Sequence, residues 1–361
     1  MNSGLIPKRA SLVTEAVAVM RKRMASGEWT GHLPGERRLA ELLHIGRDTV
    51  RLTLADLEST GWLEPAVAGA RRKIRHTAPH EIRRTRDVKV GILSSRRLEL
   101  LSHPLLLEID MIRQALGHKN IALAVHAPPW FESKRPEKRL QEFVAGEGCA
   151  AWLLIRSTAA IQNWFVRNEI PCLVRGYPHP NVDVPFLDVD WEATARHAAA
   201  TLWRLGHQRV GVLVPPERTL QGVEAAVRGA TGLGEPGFLA RELPEDGTVA
   251  GISRTFARVM GMKDRPTALI ATRARQVATL LGCAAGMDIS IPGQLSIISI
   301  AREPFIEYLV PEITGYRVDP GSTARLVTRK LGQIMSGNAK PSGNPWIVPD
   351  VVKGASVAWV K

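Results

Sequence analysis

The stretch LPGERRLAELLHIGRDTVRLTLADLESTGWLE, residues 33–64, contains two runs of apolar residues at helical spacing with a glycine between them. The first helix is predicted to begin near Glu36, after Pro34-Gly35, and the second runs over residues 47–60 and ends before Gly61. Two short helices joined by a turn that contains glycine are typical of a helix-turn-helix. The predicted buried positions are Leu39, Leu42, Leu43, Val50, Thr53, Leu54 and Leu57.

The second helix has a polar edge opposite its buried stripe. Arg47 and Arg51 are four residues apart and therefore share a face, which Asp48 and Thr49 flank. In a helix-turn-helix, this edge is the one that contacts base edges and phosphates in the major groove. The pattern therefore favours double-stranded DNA as a partner.

The flanking segments complete a small N-terminal domain. Residues 11–26 form an amphipathic helix. After the second helix of the motif, WLEPAV (62–67) and RRKIRH (71–76) are predicted to be two strands around a tight connection, which would form a wing. The base of this wing is basic, with Arg71, Arg72, Lys73 and Arg75.

These elements together resemble the GntR-type winged helix-turn-helix over about seventy residues. The shared phrases are the LPxER start, the LA pair, the GRxTVR core (here GRDTVR) and the LxxxGWL end. The resemblance implies DNA contacts by Arg37, Arg47, Thr49 and Arg51. Asp48 is expected to alter base choice, because a carboxylate accepts a hydrogen bond from cytosine N4. The wing departs from the family: AVAGARR keeps only Gly69 of the usual G-x-G. The alternative is a winged helix that contacts protein.

The charge of the chain agrees with an acidic partner. The 361 residues carry a formal net charge of +13, and the isoelectric point is about 10.1. Residues 1–87 contribute +6 and residues 88–361 only +7, so the N-terminal domain is the more densely basic part. Nucleic acid is the common partner of such a surface, although ribosome or membrane-surface binding gives the same number.

Several classes of protein are disfavoured. The three cysteines are far apart and form no CxxC or Cys/His cluster, which argues against a zinc site or a disulfide framework and fits a reducing cytoplasm. No secretory h-region and no apolar run of membrane-spanning length occur. P-loop, HExxH and GxSxG motifs are absent, so we expect neither an enzyme nor a bound cofactor.

From residue 88 onward, the sequence pattern changes to continuous apolar strands that alternate with helices. VKVGILSS (88–95), CAAWLLIRS (149–157), RVGVLVP (209–215) and LSIISIA (295–301) are examples of the strands. Such alternation predicts an α/β fold with parallel sheets covered by helices on both faces. Two sheets of this size form a two-lobed domain with a cleft at the carboxyl ends of the strands.

Residues 88–361 resemble the LacI/purine-repressor type of periplasmic-binding-protein-like sensor. The matching segments are residues 188–213, with the phrase LGHQRV, residues 265–301, with IPGQLSI, and residues 309–314. The resemblance implies a domain that binds a small-molecule effector and forms a homodimer. A GntR-type head on such a body is similar in layout to the arabinose-repressor type of regulator. The predicted domains are 1–75 for the head, 76–87 for a basic linker and 88–361 for the sensor.

The polar residues typical of the family's sugar-binding members are largely missing. Trp191 stands where those members carry Asn, Thr219 where they carry Arg, Arg273 where they carry Asn, and Ala301 where they carry Asp. Only Asp190 is kept, so the resemblance does not imply that this chain has the sugar specificity of those members. Trp130 and Trp191 are candidates to stack on a ring, or are core residues. The candidate effector-binding residues are Ser94, Arg156, Arg175, Asp190, Trp191, Thr219, Arg273 and Ala301.

Arginines occupy many of the positions that directly follow the predicted strands. Because parallel strands end at one edge, these side chains should surround the cleft mouth. Arginine binds carboxylate and phosphate through paired donors, which predicts an anionic effector such as a sugar acid or sugar phosphate. The alternatives are that these arginines pair with acids or face solvent, or that the cleft is degenerate and binds no effector. The arginines are Arg96, Arg97, Arg156, Arg175, Arg273 and Arg302.

The sequence therefore predicts a cytoplasmic transcription regulator, a homodimeric repressor that binds a near-palindromic DNA operator and responds to a sugar or an anionic sugar derivative. The candidate DNA-binding residues are Arg37, Arg47, Asp48, Thr49, Arg51, Arg71, Arg72 and Lys73. The alternative of another class is a sugar-binding or enzymatic protein whose winged helix does not bind DNA.

Overall fold

The computed structural model describes residues 12–25, 27–65, 71–75, 88–133, 135–219, 221–338 and 343–360. The chain divides into two compact units, Met1–Arg86 and Asp87–Lys361, which we call the head and the body. The predicted linker, residues 76–87, and the predicted wing tip, residues 66–70, lie outside the described residues. Within the described parts of the chain, no helix is both long and apolar enough to cross a membrane.

The head contains three helices, α1 (Leu12–Ala25), α2 (Glu36–Leu43) and α3 (Arg47–Ser59). The turn between α2 and α3 is three residues long, and its first residue, His44, adopts the left-handed conformation that ends α2. All four predicted core positions of α3 are buried, and Leu39 of α2 is buried with them, whereas Leu42 and Leu43 are half-buried. The predicted helix-turn-helix is therefore confirmed.

Three short segments form an antiparallel arrangement beside these helices. Leu63 pairs with Ile74, and His32 pairs with Lys73. The backbone N–H of Leu33 donates to the Arg72 carbonyl over 2.8 Å, and that of Glu64 donates to the Lys73 carbonyl over 3.0 Å. The base of the predicted wing is thus hydrogen-bonded on both sides.

The body consists of two lobes, each built on a six-stranded sheet. The first sheet has the order β11-β5-β4-β3-β1-β2 and is parallel throughout. Its strands are β1 (Lys89–Ser94), β2 (Ala122–His126), β3 (Ala151–Ile155), β4 (Cys172–Arg175), β5 (Phe186–Val189) and β11 (Trp346–Ile347).

The second sheet has the order β12-β10-β9-β8-β6-β7, and only its β10–β12 pair is antiparallel. Its strands are β6 (Arg209–Val214), β7 (Leu239–Pro244), β8 (Ala268–Ala271), β9 (Ser296–Ser299), β10 (Thr314–Arg317) and β12 (Asp350–Val352). The chain passes between the lobes three times, after β5, after β10 and after β11. The predicted α/β architecture with two parallel-sheet lobes is confirmed.

Helices cover both faces of each sheet. Those of the first lobe are α4 (His103–Gly117), α5 (Glu137–Glu147), α6 (Ala159–Arg167) and α11 (Pro320–Met335). Those of the second lobe are α7 (Trp191–Arg204), α8 (Gln221–Thr231), α9 (Val249–Met260) and α10 (Ala274–Gly286). Each face has its own apolar core; Val90, Ile92 and Leu153 of the first sheet, for example, pack on Val327 and Leu331 of α11.

Some elements were not predicted. Strand β7 lies at the edge of its sheet and is largely exposed, so its sequence LARELP lacks the apolar run of a buried strand. Helix α11 has a readable start, since Asp319 caps it and Pro320 occupies its first turn. Strands β5, β10, β11 and β12 are only two to four residues long and carry little periodicity.

Helices α7 and α8 pack closely because Gly229 has no side chain. A Cβ atom at Gly229 would clash with the backbone carbonyl of Glu192, which cannot swing away. We expect Gly229→Ala to destabilise the body by about 1–3 kcal/mol, measured as the free energy of unfolding in urea. Gly282→Ala is the matched control: Gly282 is exposed within α10 with open space around it, so its substitution should be neutral or stabilise by up to about 1 kcal/mol. Equal changes in the free energy of unfolding for the two substitutions would contradict the close approach of α7 and α8.

Candidate functional site

The exposed edge of α3 carries the side chains that the sequence singled out. Arg47, Asp48 and Arg51 are exposed, and Thr49 is half-buried. On the opposite side, Val50, Leu54 and Leu57 are almost fully buried. Burial of one face fixes the rotation of α3, so the arginine edge faces away from the core of the head.

Ion pairs on this edge of α3 and on the neighbouring α2 are weak enough to exchange for another partner. Arg51 donates from Nε to Glu36 over 3.1 Å and lies 3.6 Å from Asp48. Arg37 lies 3.8 Å from Glu41. Pairs this exposed contribute only about 0–1 kcal/mol. Arg47 makes no ion pair with any described side chain.

At the base of the wing, the three basic residues that were predicted to bind DNA differ in their surroundings. Arg72 forms a half-buried ion pair with Glu58 of α3 and so fastens the wing base to that helix. Lys73 pairs with Glu64 over 3.1 Å at the surface, and Arg71 is exposed. Arg71 and Lys73 are thus the more accessible cations.

A cleft of about 560 Å³ lies between the lobes of the body. Each sheet changes its winding direction between its first and third strands, and such switch points open a crevice at the carboxyl ends of the strands. In the first lobe, the residues there include Arg96, after β1, and Arg156, after β3. In the second lobe, Glu217 follows β6 and Arg273 follows β8.

The structure brings together most of the predicted effector residues. Arg156, Arg175, Trp191, Arg273 and Ala301 line the cleft. Among the described residues that line it, neither Ser94 nor Asp190 appears: Ser94 is fully buried, and Asp190 accepts a hydrogen bond from Ala193 as the cap of α7. The side chain of Thr219 lies outside the described part of the chain. Trp130 packs edge-on against Phe143.

Five of the six predicted arginines line this one cleft, and Arg275 joins them. The five are Arg96, Arg156, Arg175, Arg273 and Arg302. Arg97 is exposed instead and lies 3.9 Å from Glu99. Four carboxylates also line the cleft: Glu108, Asp188, Glu217 and Glu303. Cations therefore outnumber carboxylates among the described lining residues.

Arg175 is fully matched by two carboxylates. Its Nε donates to Glu108 over 2.8 Å, its Nη2 donates to the other oxygen of Glu108 over 3.1 Å, and its Nη1 donates to Asp188 over 2.6 Å. Burial lowers the pKa of Arg175, but Glu108 and Asp188 outweigh burial and raise it above its ordinary value. Arg175 therefore ties β4 to α4 and β5 as part of the framework.

Glu217 links the lobes. Its carboxylate lies 3.4 Å from Arg96 of the first lobe and 3.3 Å from Arg275 of the second. Burial raises the pKa of Glu217, but a backbone hydrogen bond and the cations Arg275, Arg273 and Arg156 hold it below its ordinary value. The carboxylate is therefore ionised at neutral pH and partly neutralises the cleft.

Arg156 and Arg273 are not matched in this way. The Nε of Arg156 is buried and has no hydrogen-bond partner among the described residues, and Arg156 adopts a left-handed backbone conformation with φ of 53°. The pKa of Arg156 is lowered to about 10, mainly by burial and also by the positive charges of Arg96 and Arg273. Burial also lowers the pKa of Arg273, whose Nη1 donates to the Thr272 carbonyl over 3.2 Å. Neither makes an ion pair of 4.0 Å or less with a described carboxylate.

The sequence interpretation missed the carboxylates of the cleft. Glu108 is buried on the same side of α4 as Ile109 and Ile112. An acid on an apolar stripe requires a buried cation, and this was the signal that could have revealed it. Asp188 and Glu217 carry no such signal, because each belongs to a short element whose neighbours come from distant parts of the chain.

The body is similar in sequence and in structure to known proteins. A family model described as a periplasmic binding protein-like domain matches residues 199–357. A LacI-family regulatory protein from Chloroflexus aggregans superimposes with a TM-score of 0.64 at 20% identity, over 75% of this chain and 99% of that one. The body has the periplasmic-binding-protein-like fold. A LacI-family transcriptional regulator from Enterococcus faecium, solved with bound ribose, shares this periplasmic-binding-protein-like fold with a TM-score of 0.61 at 17% identity, over 76% of this chain and all of that one.

One relative extends further along the chain. The HTH-type transcriptional regulator MalR of Streptomyces coelicolor is 23% identical over 317 residues, which is 82% of this chain and 90% of that protein. The similarity thus extends over most of the length of both proteins.

Proposed function

We propose that this chain is a sequence-specific DNA-binding transcription regulator whose body senses a small molecule. The observation that carries the proposal is α3, the second helix of a helix-turn-helix, which exposes Arg47, Asp48 and Arg51 on the edge opposite its buried face. In such motifs this edge enters the major groove. The similarity to MalR, a transcriptional regulator by name, supports the same function and not an enzymatic one.

We further infer that the head is of the GntR type. The LPGER, GRDTVR and LESTGWL phrases support this assignment, and so does the antiparallel pairing of Leu63 with Ile74, which fits the base of a wing. In this arrangement Arg47, Thr49 and Arg51 read bases, Asp48 favours cytosine, and Arg37, Arg71 and Lys73 hold phosphates. Arg72 holds the wing base in place through Glu58.

The regulator acts as a homodimeric repressor with two heads on a near-palindromic operator. A ligand in the cleft of the body changes the lobe arrangement and, through it, the affinity of the heads for DNA. Couplings of this kind are typically about 1–3 kcal/mol. Unmatched arginines in the cleft favour this sensor over the alternative of a degenerate cleft that binds no effector.

The salt dependence of DNA affinity tests the phosphate contacts. Each neutralised phosphate adds about −0.9 to the slope of log affinity against log salt concentration. With the three such contacts proposed for each of two heads, we expect a slope of about −5, measured by fluorescence anisotropy on a labelled duplex. Arg71→Gln should make the slope shallower by about 1–2, whereas Arg97→Gln, a matched change on the body, should leave it unchanged. A slope near zero would contradict DNA binding by the basic head.

A further inference from the structure

Among the described residues that line the cleft of the body, Arg156 and Arg273 are cations without a carboxylate partner, one in each lobe. Arg156 follows β3 of the first lobe, and Arg273 follows β8 of the second. The Nε of Arg156 is a buried donor without an acceptor among the described residues. Leaving such a donor unmet costs free energy, so the site is complete only with an acceptor from outside the chain.

Three other arginines of the cleft, Arg175, Arg96 and Arg275, show what a guanidinium paired with carboxylates looks like in the same place. Arg175 has three hydrogen bonds to two carboxylates, and Arg96 and Arg275 share Glu217. The carboxylates of the cleft that form ion pairs are thus used by arginines other than Arg156 and Arg273. A left-handed backbone at a non-glycine residue, as at Arg156, is also a feature that clusters at ligand sites.

The rest of the lining fits an apolar body better than a neutral sugar. Leu101, Leu105, Trp191 and Val318 line the cleft while packing partly against the core of the first lobe. A sugar needs many polar partners, yet three of the uncharged polar residues in the cleft are already engaged within the chain. Ser157 accepts a hydrogen bond from Gln162, and the Tyr177 hydroxyl accepts one from the backbone N–H of Trp191. His179 Nε2 is hydrogen-bonded to the Ser157 carbonyl.

We propose that the cleft binds an organic anion, a carboxylate or phosphate carried on an apolar body, with its charged group between Arg156 and Arg273. This deepens the proposed function, on which it rests, by naming the chemical class of the effector. Guanidinium groups bind such oxyanions through paired hydrogen bonds. Because the two arginines belong to different lobes, the anion favours the arrangement in which the lobes are drawn together.

A pair of fluorescent probes of the same shape tests the charge requirement. Anilinonaphthalene sulfonate is an organic anion on an apolar body, and phenylnaphthylamine has nearly the same body without the charge. Titrated into the full chain, the sulfonate should bind saturably and at least about tenfold more tightly than the neutral probe, because a hydrogen bond to a charged group strengthens binding by at least that factor.

Variants of the two arginines assign this difference to the cleft. Arg156→Gln and Arg273→Gln should each weaken sulfonate binding by about tenfold or more and leave phenylnaphthylamine binding unchanged. Arg156→Lys keeps the charge without the paired donors and should give an intermediate loss. Arg97→Gln removes an exposed arginine outside the cleft lining and should change neither.

Competition identifies the anion. Phenylacetate or phenyl phosphate should displace the sulfonate, whereas benzyl alcohol and ribose should not displace it. Displacement by phenylacetate indicates a carboxylate as the natural charged group, and displacement by phenyl phosphate indicates a phosphate. Equal binding of the two probes, unchanged binding in both glutamine variants, or displacement by ribose would overturn the proposal. DNA affinity measured on the same proteins distinguishes the anion proposal from the proposed function. If only the anion proposal is wrong, the wild-type chain still binds DNA; if the proposed function is wrong, it does not.

Discussion

Replacing both Arg47 and Arg51 with alanine is expected to reduce the affinity of the chain for its preferred duplex at least about a hundredfold, because each bidentate arginine–guanine contact contributes about 1–3 kcal/mol of discrimination. Both side chains lie on the exposed edge of α3, so their removal leaves the buried stripe of Val50, Leu54 and Leu57 intact. Anisotropy titrations with the preferred duplex and with a scrambled duplex of equal composition measure the effect.

The matched control is Arg38→Ala, which removes a positive charge from α2 rather than from α3. Arg38 is exposed and pairs with Glu41 over 3.0 Å. Its replacement should lower the affinity for both duplexes alike and keep their ratio. If the double variant also kept that ratio, α3 would not be the reading element.

The largest effect on stability is expected at Glu108. Glu108→Ala removes two of the three hydrogen bonds that Arg175 makes with carboxylates, and the guanidinium is almost fully enclosed. Breaking a buried pair in this way costs about 3–5 kcal/mol, because one charge stays buried without its partner. The main unfolding transition, followed by circular dichroism during heating, should shift down by roughly 6–15 °C.

Glu99→Ala serves as the comparison, since Glu99 faces an exposed arginine, Arg97, at 3.9 Å. Exposed pairs contribute at most about 1 kcal/mol, so the transition should hardly move. Similar shifts for both variants would mean that Arg175 is free to move to another partner, and its assignment to the framework would then be wrong.

The sequence predicted the elements that have strong periodicity and missed those that depend on tertiary neighbours. The four buried positions of α3 follow directly from its helical spacing. Strand β7, by contrast, is held by its pairing with β6 and not by its own apolar pattern. Helix α11 follows a lobe crossing, and its neighbour α4 lies about two hundred residues earlier in the chain.

The same distinction applies to the cleft. Parallel strands end at one edge, so the clustering of Arg156, Arg175 and Arg273 was predictable from their positions after strands. Their different surroundings were not. Arg175 is matched by Glu108, which is 67 residues away on α4, whereas the Nε of Arg156 has no acceptor in the part of the chain that the structure describes. Whether a strand-end arginine belongs to the framework or to a ligand site depends on contacts that local pattern does not encode.

Selection of bound duplexes from a random pool by the full-length chain, beside the Arg47→Ala, Arg51→Ala double variant, tests the central claim most directly. We expect the wild-type chain to enrich one motif of two inverted half-sites, as a two-headed dimer requires, and the double variant to enrich none. Enrichment of the same motif by both proteins, or of no motif by the wild type, would contradict it.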